Sequence, residues 1–193
     1  MKPSKFVYVN AKTIDEALTS LKQPDSKIIA GGQSLVPLMN YRLSQPSTLI
    51  DISSIIELSQ ISVKDDKLEI GSLVTHNQAI SSKDIIKHLP IISFALEYTA
   101  HKTIRNSGTI GGSAAHADPS AEWPLLIMLL DSSINIISYK NSRTISAKDF
   151  FISELTTDLK EDEIIKSFNF PKIEQNYGWS FEEIVQRSGD FAL

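Results

Sequence analysis

Two Gly-Gly pairs, Gly31-Gly32 and Gly111-Gly112, constrain this chain more than any other feature. Adjacent glycines allow positive φ and let a backbone approach another backbone, or a ligand, without a side chain between them. The first pair lies in Ala30-Gly31-Gly32-Gln33-Ser34-Leu35, between the apolar run Lys27-Ile28-Ile29-Ala30 and a helix predicted from Ser34 through Met39. Backbone amides at such a strand–helix junction form a concavity suited to a pyrophosphate. A ligand-free tight turn uses the same residues, and the segment is neither a Walker sequence nor GxGxxG. Alone it is a weak nucleotide signal.

The second pair lies in Gly108-Thr109-Ile110-Gly111-Gly112-Ser113-Ala114-Ala115, where three glycines and three tiny residues occupy eight positions, followed by His116-Ala117-Asp118-Pro119. Small side chains let two backbones, or a backbone and a flat ligand, come close. Asp118-Pro119 reads as an N-cap with proline at the first helical position, opening a helix through Trp123-Pro124-Leu125-Leu126. A buried Gly/Ala crossing accounts for this spacing as well as a ligand does. Two Gly-Gly amide nests in one small protein tip the reading toward a dinucleotide, whose two phosphates need an extended cradle.

The rest of the chain supplies a frame of α+β type. Thr13-Ile14-Asp15-Glu16 reads as a capping box, with Thr13 accepting from a first-turn amide and Glu16 reaching back. Behind it Ile14, Ala17, Leu18 and Leu21 share one helical face. With Lys27–Ala30 and Thr48-Leu49-Ile50-Asp51-Ile52 as strands, residues 1–58 form a βαβ-like N-terminal lobe. From Ile61 the pattern changes. Ile61-Ser62-Val63 and Leu68-Glu69-Ile70 flank Asp65-Asp66-Lys67 as a hairpin, and Ile134–Ser138 and Arg143–Ile145 flank Lys140-Asn141-Ser142 as another. Thr75-x-x-Gln78 caps a short helix, Pro90 to Tyr98 makes a longer one, and Ile164–Phe168 is a last strand. This second lobe, 59–173, is expected to hold a mainly antiparallel sheet with helices. No internal repeat or low-complexity linker is visible.

Length and charge set outer bounds. At 193 residues the chain can bury a substantial core, and its net charge of −4 offers no basic stripe for nucleic acid. The absence of cysteine removes disulfides, thiolate metal sites and cysteine-held iron–sulfur clusters, and it fits a reducing compartment. The N-terminus lacks the apolar run of a signal peptide, and Trp123 to Leu130 is too short to span a bilayer, so a cytoplasmic protein is expected. His76, His88 and His101 are scattered, with no pair at helical metal-ligand spacing. No Ser-His-Asp or paired-carboxylate arrangement stands out, so no catalytic residue is expected on this chain.

The two glycine segments also carry a family resemblance. Ala30-Gly31-Gly32-Gln33-Ser34-Leu35-Val36-Pro37-Leu38 resembles the first flavin motif of the medium, FAD-binding subunits of the carbon monoxide dehydrogenase and xanthine dehydrogenase family. Ile104-Arg105-Asn106-Ser107-Gly108-Thr109-Ile110-Gly111-Gly112-Ser113 with His116-Ala117-Asp118-Pro119 resembles the second. Leu49-Ile50-Asp51-Ile52 and Gln186-Arg187-Ser188-Gly189-Asp190-Phe191-Ala192-Leu193 agree with the same family.

The resemblance implies a two-lobed flavoprotein fold of the PCMH and carbon monoxide dehydrogenase type, with FAD extended between the lobes. Ala30, Gly31, Gly32, Gln33, Ser34 and Leu35 then hold the pyrophosphate. Thr109, Gly111, Gly112, Ser113, His116 and Asp118 match the contacts of the second motif, and Glu122 matches an acidic position near the flavin's hydroxyls. Ionised Asp118 and Glu122 only accept hydrogen bonds, which suits sugar-alcohol hydroxyls and not phosphates. It further implies an electron-transfer subunit of a molybdenum hydroxylase complex. A large partner carries the molybdenum cofactor and a small partner the two [2Fe-2S] clusters, whose electrons reach an external acceptor through FAD. Relatives continue for roughly another small domain, so residues 174–193 are expected to open a C-terminal domain, with flavin contacts near that end incomplete.

Departures and rivals bear on the same residues. The cysteine-bearing insertion of the hydroxybenzoyl-CoA reductase branch is missing, and Ala100-His101-Lys102 stands where relatives commonly have a glycine. His116 either touches flavin or satisfies its ring inside the fold. Arg105 reaches a phosphate or bridges the lobes. Asp190 either holds the C-terminal segment or lines the pocket. Trp123, Phe150, Phe151 and Phe168 are expected in the core. Two alternatives compete with the subunit reading: a stand-alone flavin oxidoreductase of the vanillyl-alcohol oxidase or UDP-N-acetylenolpyruvylglucosamine reductase kind, and a non-catalytic nucleotide-binding or assembly module.

Overall fold

The computed structural model describes residues 2–172 and 177–193. The N-terminal lobe is laid down as β1 (Val7–Asn10), α1 (Ile14–Ser20), β2 (Ser26–Ile29), α2 (Leu35–Asn40) and β3 (Thr48–Asp51). Its three strands form an all-parallel sheet in the order β1-β3-β2. Parallel neighbours need crossovers, which α1 and α2 provide. The expected βαβ unit is therefore present, with one more strand at its edge. Thr13 caps α1 by accepting from the Glu16 amide, but the Glu16 carboxylate takes the Lys12 amide, one residue before the cap itself.

The second lobe is built on an antiparallel sheet. Its strands are β4 (Ile61–Lys64), β5 (Lys67–Gly71), β6 (Ser133–Ser138), β7 (Ser142–Ser146) and β10 (Glu163–Pro171), in the order β4-β5-β10-β6-β7. Both predicted hairpins pair as expected. The strand from Glu163 runs through the centre, so Ile164, Ile165, Phe168 and Phe170 are all buried, with a register shift between Ile165 and Ser167. Helices α3 (His76–Ser81), α4 (Lys83–His88), α5 (Pro90–Leu96), α6 (Lys102–Arg105), α7 (Ile110–His116), α8 (Glu122–Leu129) and α9 (Ala147–Phe150) cover it, with a small hairpin of β8 (Phe151–Ser153) and β9 (Thr156–Thr157) beside them. The Thr75–Gln78 capping box is complete in both directions.

Two apolar clusters explain how the lobes hold together. The larger gathers Trp123, Phe150, Phe168 and Phe170 with α3, α4, α5, α7 and α8, and Phe151 packs against it, as expected for core aromatics. The smaller joins Ala17, Leu18, Ile50, Ile52 and Leu58 of the N-terminal lobe to Leu73 and Ile164 of the second. Because this cluster belongs to both lobes, the groove between them has a fixed floor. Lys22, just beyond α1, adds a cation–π contact to Tyr139 of the second lobe.

Asp118 and Pro119 depart from expectation. Helix α8 begins at Glu122 with Ala121 as N-cap, not at Pro119. Asp118 instead opens a turn in which its carbonyl accepts from the Ala121 amide and its carboxylate from the Ser120 amide. Aspartate first and proline second is the preferred chemistry of such a turn, and it outcompetes capping here.

Candidate functional site

The first glycine segment leaves β2 and enters α2 through Gly32, whose φ of +70° lies in the left-handed region. The Gln33 side chain donates to the Gly31 carbonyl and fixes the turn from inside. The backbone amides of Gly32, Gln33, Ser34 and Leu35 donate to no protein acceptor among the described residues. Ser34 makes no side-chain cap either. Four consecutive unpaired donors at a helix start form an anion-binding surface.

Gly31 has a different task. A Cβ there would stand 2.0 Å from the Ser107 carbonyl oxygen and 2.9 Å from the Gly108 Cα. The backbones of the two segments therefore cross in direct contact, and only glycine permits it.

The second segment is not an amide nest, contrary to expectation. Gly111 and Gly112 lie within the first turn of α7, and their amides are spoken for. Gly111 donates to the Ser72 carbonyl, and Gly112 donates to the Thr109 hydroxyl, which is the N-cap. Ile110 and Ser113 likewise donate to Val74 and Thr109. Gly111 is packed closely enough that a Cβ would meet Ser72 at 2.6 Å. Gly112 and Ala115 are exposed, presenting a smooth wall.

Between these segments lie two adjoining clefts. One, of about 470 Å³, has Gly31, Gly32, Ser34 and Leu35 on one side and Gly111, Gly112, Ala115 and His116 on the other. Leu38, Leu43, Leu155 and Leu159 make its outer part apolar. The other, of about 350 Å³, is lined by uncharged groups, among them Ser53, Thr75, Gln78, Asn106, Ser107 and Thr109. Ala30, Gly31 and Leu73 line both, so the Gly31–Ser107 crossing stands where the clefts meet. Glu163, on the wall of the larger cleft, is locked by a two-pronged pair with Arg143, which also reaches Asp158. Burial, the largest single influence, pushes the Glu163 pKa up, but the Arg143 hydrogen bonds, the Lys160 amide and the charges of Arg143 and Lys160 together hold it below its ordinary value.

A model of the FAD binding domain in molybdopterin dehydrogenase matches residues 4–173. The chain belongs to that family. It is similar to the alpha subunit of the 6-hydroxypseudooxynicotine dehydrogenase complex of Paenarthrobacter nicotinovorans, at 42% identity over all of this chain and 66% of the relative. The carbon monoxide dehydrogenase medium chain of Hydrogenophaga pseudoflava is 35% identical, again over the whole chain and 68% of its own length. Among solved structures, quinoline 2-oxidoreductase from Pseudomonas putida 86 superposes with a TM-score of 0.96 at 38% identity, covering 100% of this chain and 67% of that one. The chain thus spans about two thirds of the length of these relatives. The family's two-lobed α+β flavoprotein fold is the fold observed here.

In this FAD-domain protein the predicted site residues divide. Ala30, Gly31, Gly32, Ser34, Leu35, Thr109, Gly111, Gly112 and His116 line the clefts. Gln33, Ser113, Asp118 and Glu122 line neither. Glu122 is largely buried at the start of α8, and burial, reinforced by the charges of Glu183 and Asp118, pushes its carboxyl up from the ordinary range. Arg105 does not reach a phosphate position or bridge the lobes. One guanidinium nitrogen binds the carbonyls of Glu97, Thr99 and Ala100, closing the end of α5. Asp190 is exposed and lines neither cleft.

Sequence reasoning missed Leu155 and Leu159, which reach the cleft from the β8–β9 hairpin without any spacing signal. It also missed the buried polar atoms Thr99 Oγ1 and both carboxylate oxygens of Glu183, which find no hydrogen-bond partner among the described residues. Among the described residues no cluster of three or more His, Asp or Glu is arranged to hold a metal, and no helix is long and apolar enough to cross a membrane.

Proposed function

We propose that this chain is the FAD-carrying electron-transfer subunit of a molybdenum-dependent dehydrogenase complex. Electrons arrive from iron–sulfur clusters on a small partner, substrate is oxidised at molybdenum on a large one, and an external acceptor is reduced. The observation that carries the reading is the row of free amides from Gly32 to Leu35 beside the larger cleft, next to the Gly31 crossing where the two clefts meet, in a chain of this family.

The residues present fit the cofactor. A pyrophosphate satisfies the orphaned amides, and Ala30 and Gly31 let it approach the backbone. The apolar cleft beyond Leu35, walled by Gly112, Ala115 and His116, suits a flat ring. The uncharged hydroxyl-and-amide cleft holding Thr109 suits the polar remainder of a dinucleotide. Glu122, with Asp118 and Ser113 nearby in sequence, is assigned to flavin hydroxyls. Gln33 acts on the turn through its bond to Gly31. FAD, when bound, supplies the redox chemistry, while this chain binds it, orients it and limits its exposure to water. The lack of cysteine matches clusters residing on another chain in a reducing cytoplasm. Residues 1–58 and 59–173 act as the two jaws.

Purified protein is expected to be yellow, with flavin absorption retained on desalting, and to bring down a molybdenum subunit and a two-cluster iron–sulfur subunit from its source. Protein that stays colourless after incubation with FAD would refute the cofactor assignment. A single chain that oxidises substrate unaided would favour the stand-alone oxidoreductase instead.

A further inference from the structure

His76 is absent from both motifs and lines neither cleft, yet it packs on Gly108, whose neighbours Ser107 and Thr109 line the uncharged one. It follows the cap Thr75 at the start of α3 and is only 6% exposed. Fully buried Trp123, on α8, donates its indole Nε1–H to His76 Nδ1 at 2.8 Å. An acceptor Nδ1 leaves the ring proton on Nε2. The other edge of the ring faces Gly108, where a Cβ would come within 2.5 Å of Nε2. The His76 amide also donates to the Gly108 carbonyl, at 3.0 Å. Backbone and ring therefore grip the same residue. Thr75 and Thr109, which both line the uncharged cleft, pair beside it as an isolated β-bridge. The Ser107–Gly108 backbone, in turn, is what Gly31 packs against.

We propose that His76 is a positioning residue for the FAD site, a neutral imidazole wedge between Trp123 and Gly108 that sets the crossing of the two glycine segments and releases FAD when it takes up a proton. The proposal rests on the FAD reading above. An imidazolium would turn Nδ1–H toward the indole N–H, donor against donor, in a buried place. Burial first, and the positive charge of Arg105 on α6 second, lower its pKa from 6.5 to about 4. The other groups facing the ring, Trp123, Gly108 and Thr75, are neutral. Glu122, beside Trp123, is the titratable group on α8, and its own carboxyl is pushed up by burial. Because the folded pKa lies below the unfolded one, the neutral ring's contribution to stability is full above 6.5 and falls away as pH drops from there, while the folded ring itself takes up its proton only at about 4.

The test uses the FAD-loaded chain in a Trp179→Phe background, so that Trp123 is the one remaining tryptophan of two. Released FAD is followed on the loaded chain, and Trp123 emission on the same chain stripped of FAD, because bound flavin would itself quench indole; a neighbouring imidazolium quenches it too, and both readouts run from about pH 7.5 down to about pH 3.5. His76→Asn keeps an acceptor for the indole and cannot titrate; His76→Phe removes the acceptor. The expected result is coincident FAD release and Trp123 quenching in the parent. His76→Asn, which lacks the ring edge against Gly108, should bind FAD more weakly than the parent at neutral pH but better than His76→Phe, and its affinity should not change through the acid window. His76→Phe should lose at least about tenfold in affinity with its circular dichroism unchanged. Identical pH-release curves for the parent and His76→Asn overturn the proposal, as does quenching without release. A parent that takes up no FAD at neutral pH fails earlier and overturns the FAD reading itself. If His76→Phe does not fold, the comparison with His76→Asn decides.

Discussion

At Gly31-Gly32 the amides from Gly32 to Leu35 stay free while the space beside Gly31 is filled by the Ser107 backbone. At Gly111-Gly112 the amides are already committed to Ser72 and Thr109, and what the glycines supply is clearance and a smooth wall. One dipeptide thus serves twice, once as a donor surface and once as a packing element. A Gly-Gly pair says that a side chain is intolerable, but not whether the reason is a ligand, a neighbouring backbone or a dihedral angle. The partners of the amides decide that.

Substitutions separate the two roles. Gly31→Ala forces a Cβ into the Ser107 carbonyl, so it should cost about 3 kcal/mol or more of stability and abolish FAD uptake together. Denaturant melts and a desalted visible spectrum read both. Gly111→Ala presses on Ser72 and should cost about 2 kcal/mol, while folded protein at neutral pH still binds FAD with near-parental affinity. A specific loss of affinity in folded Gly111→Ala would show the second segment to be a direct ligand surface. Thr109→Ala removes the cap of α7 and should cost about 1 kcal/mol, with FAD affinity shifting by less than about tenfold. Smallest is Ala117→Gly. Ala117 ends α7 at φ +51°, a left-handed cap that glycine adopts without strain, so a gain of about 0.5 kcal/mol is expected in a thermal melt.

Much of the frame was legible because it rests on local rules. Thr13 and Thr75 announce helix starts, Asp65-Asp66-Lys67 and Lys140-Asn141-Ser142 announce hairpins, and the apolar residues Ile164, Ile165 and Phe168 announce a strand buried on both faces. Asp118-Pro119 misled because a cap and a turn share the same residues, and which of them forms depends on where α8 packs. The commitment of the Gly111 and Gly112 amides was hidden for a related reason. Their acceptor and cap lie at Ser72 and Thr109, and only the tertiary approach of β5 to α7 brings Ser72 within reach. His76 and Trp123, 47 positions apart, make a bond that no periodicity encodes. Ala100 is a further backbone position of this kind, since its φ of +39° is a conformation that glycine would adopt more easily.

The central claim is that the free amides of the first segment hold a pyrophosphate. Titrating the chain with FAD and with riboflavin, which shares the ring but has no phosphate, and then competing bound FAD with ADP, measures that contribution alone. FAD should bind one to one and at least about a hundredfold more tightly than riboflavin, and ADP should displace it. Riboflavin binding as tightly as FAD, with ADP unable to compete, would contradict it.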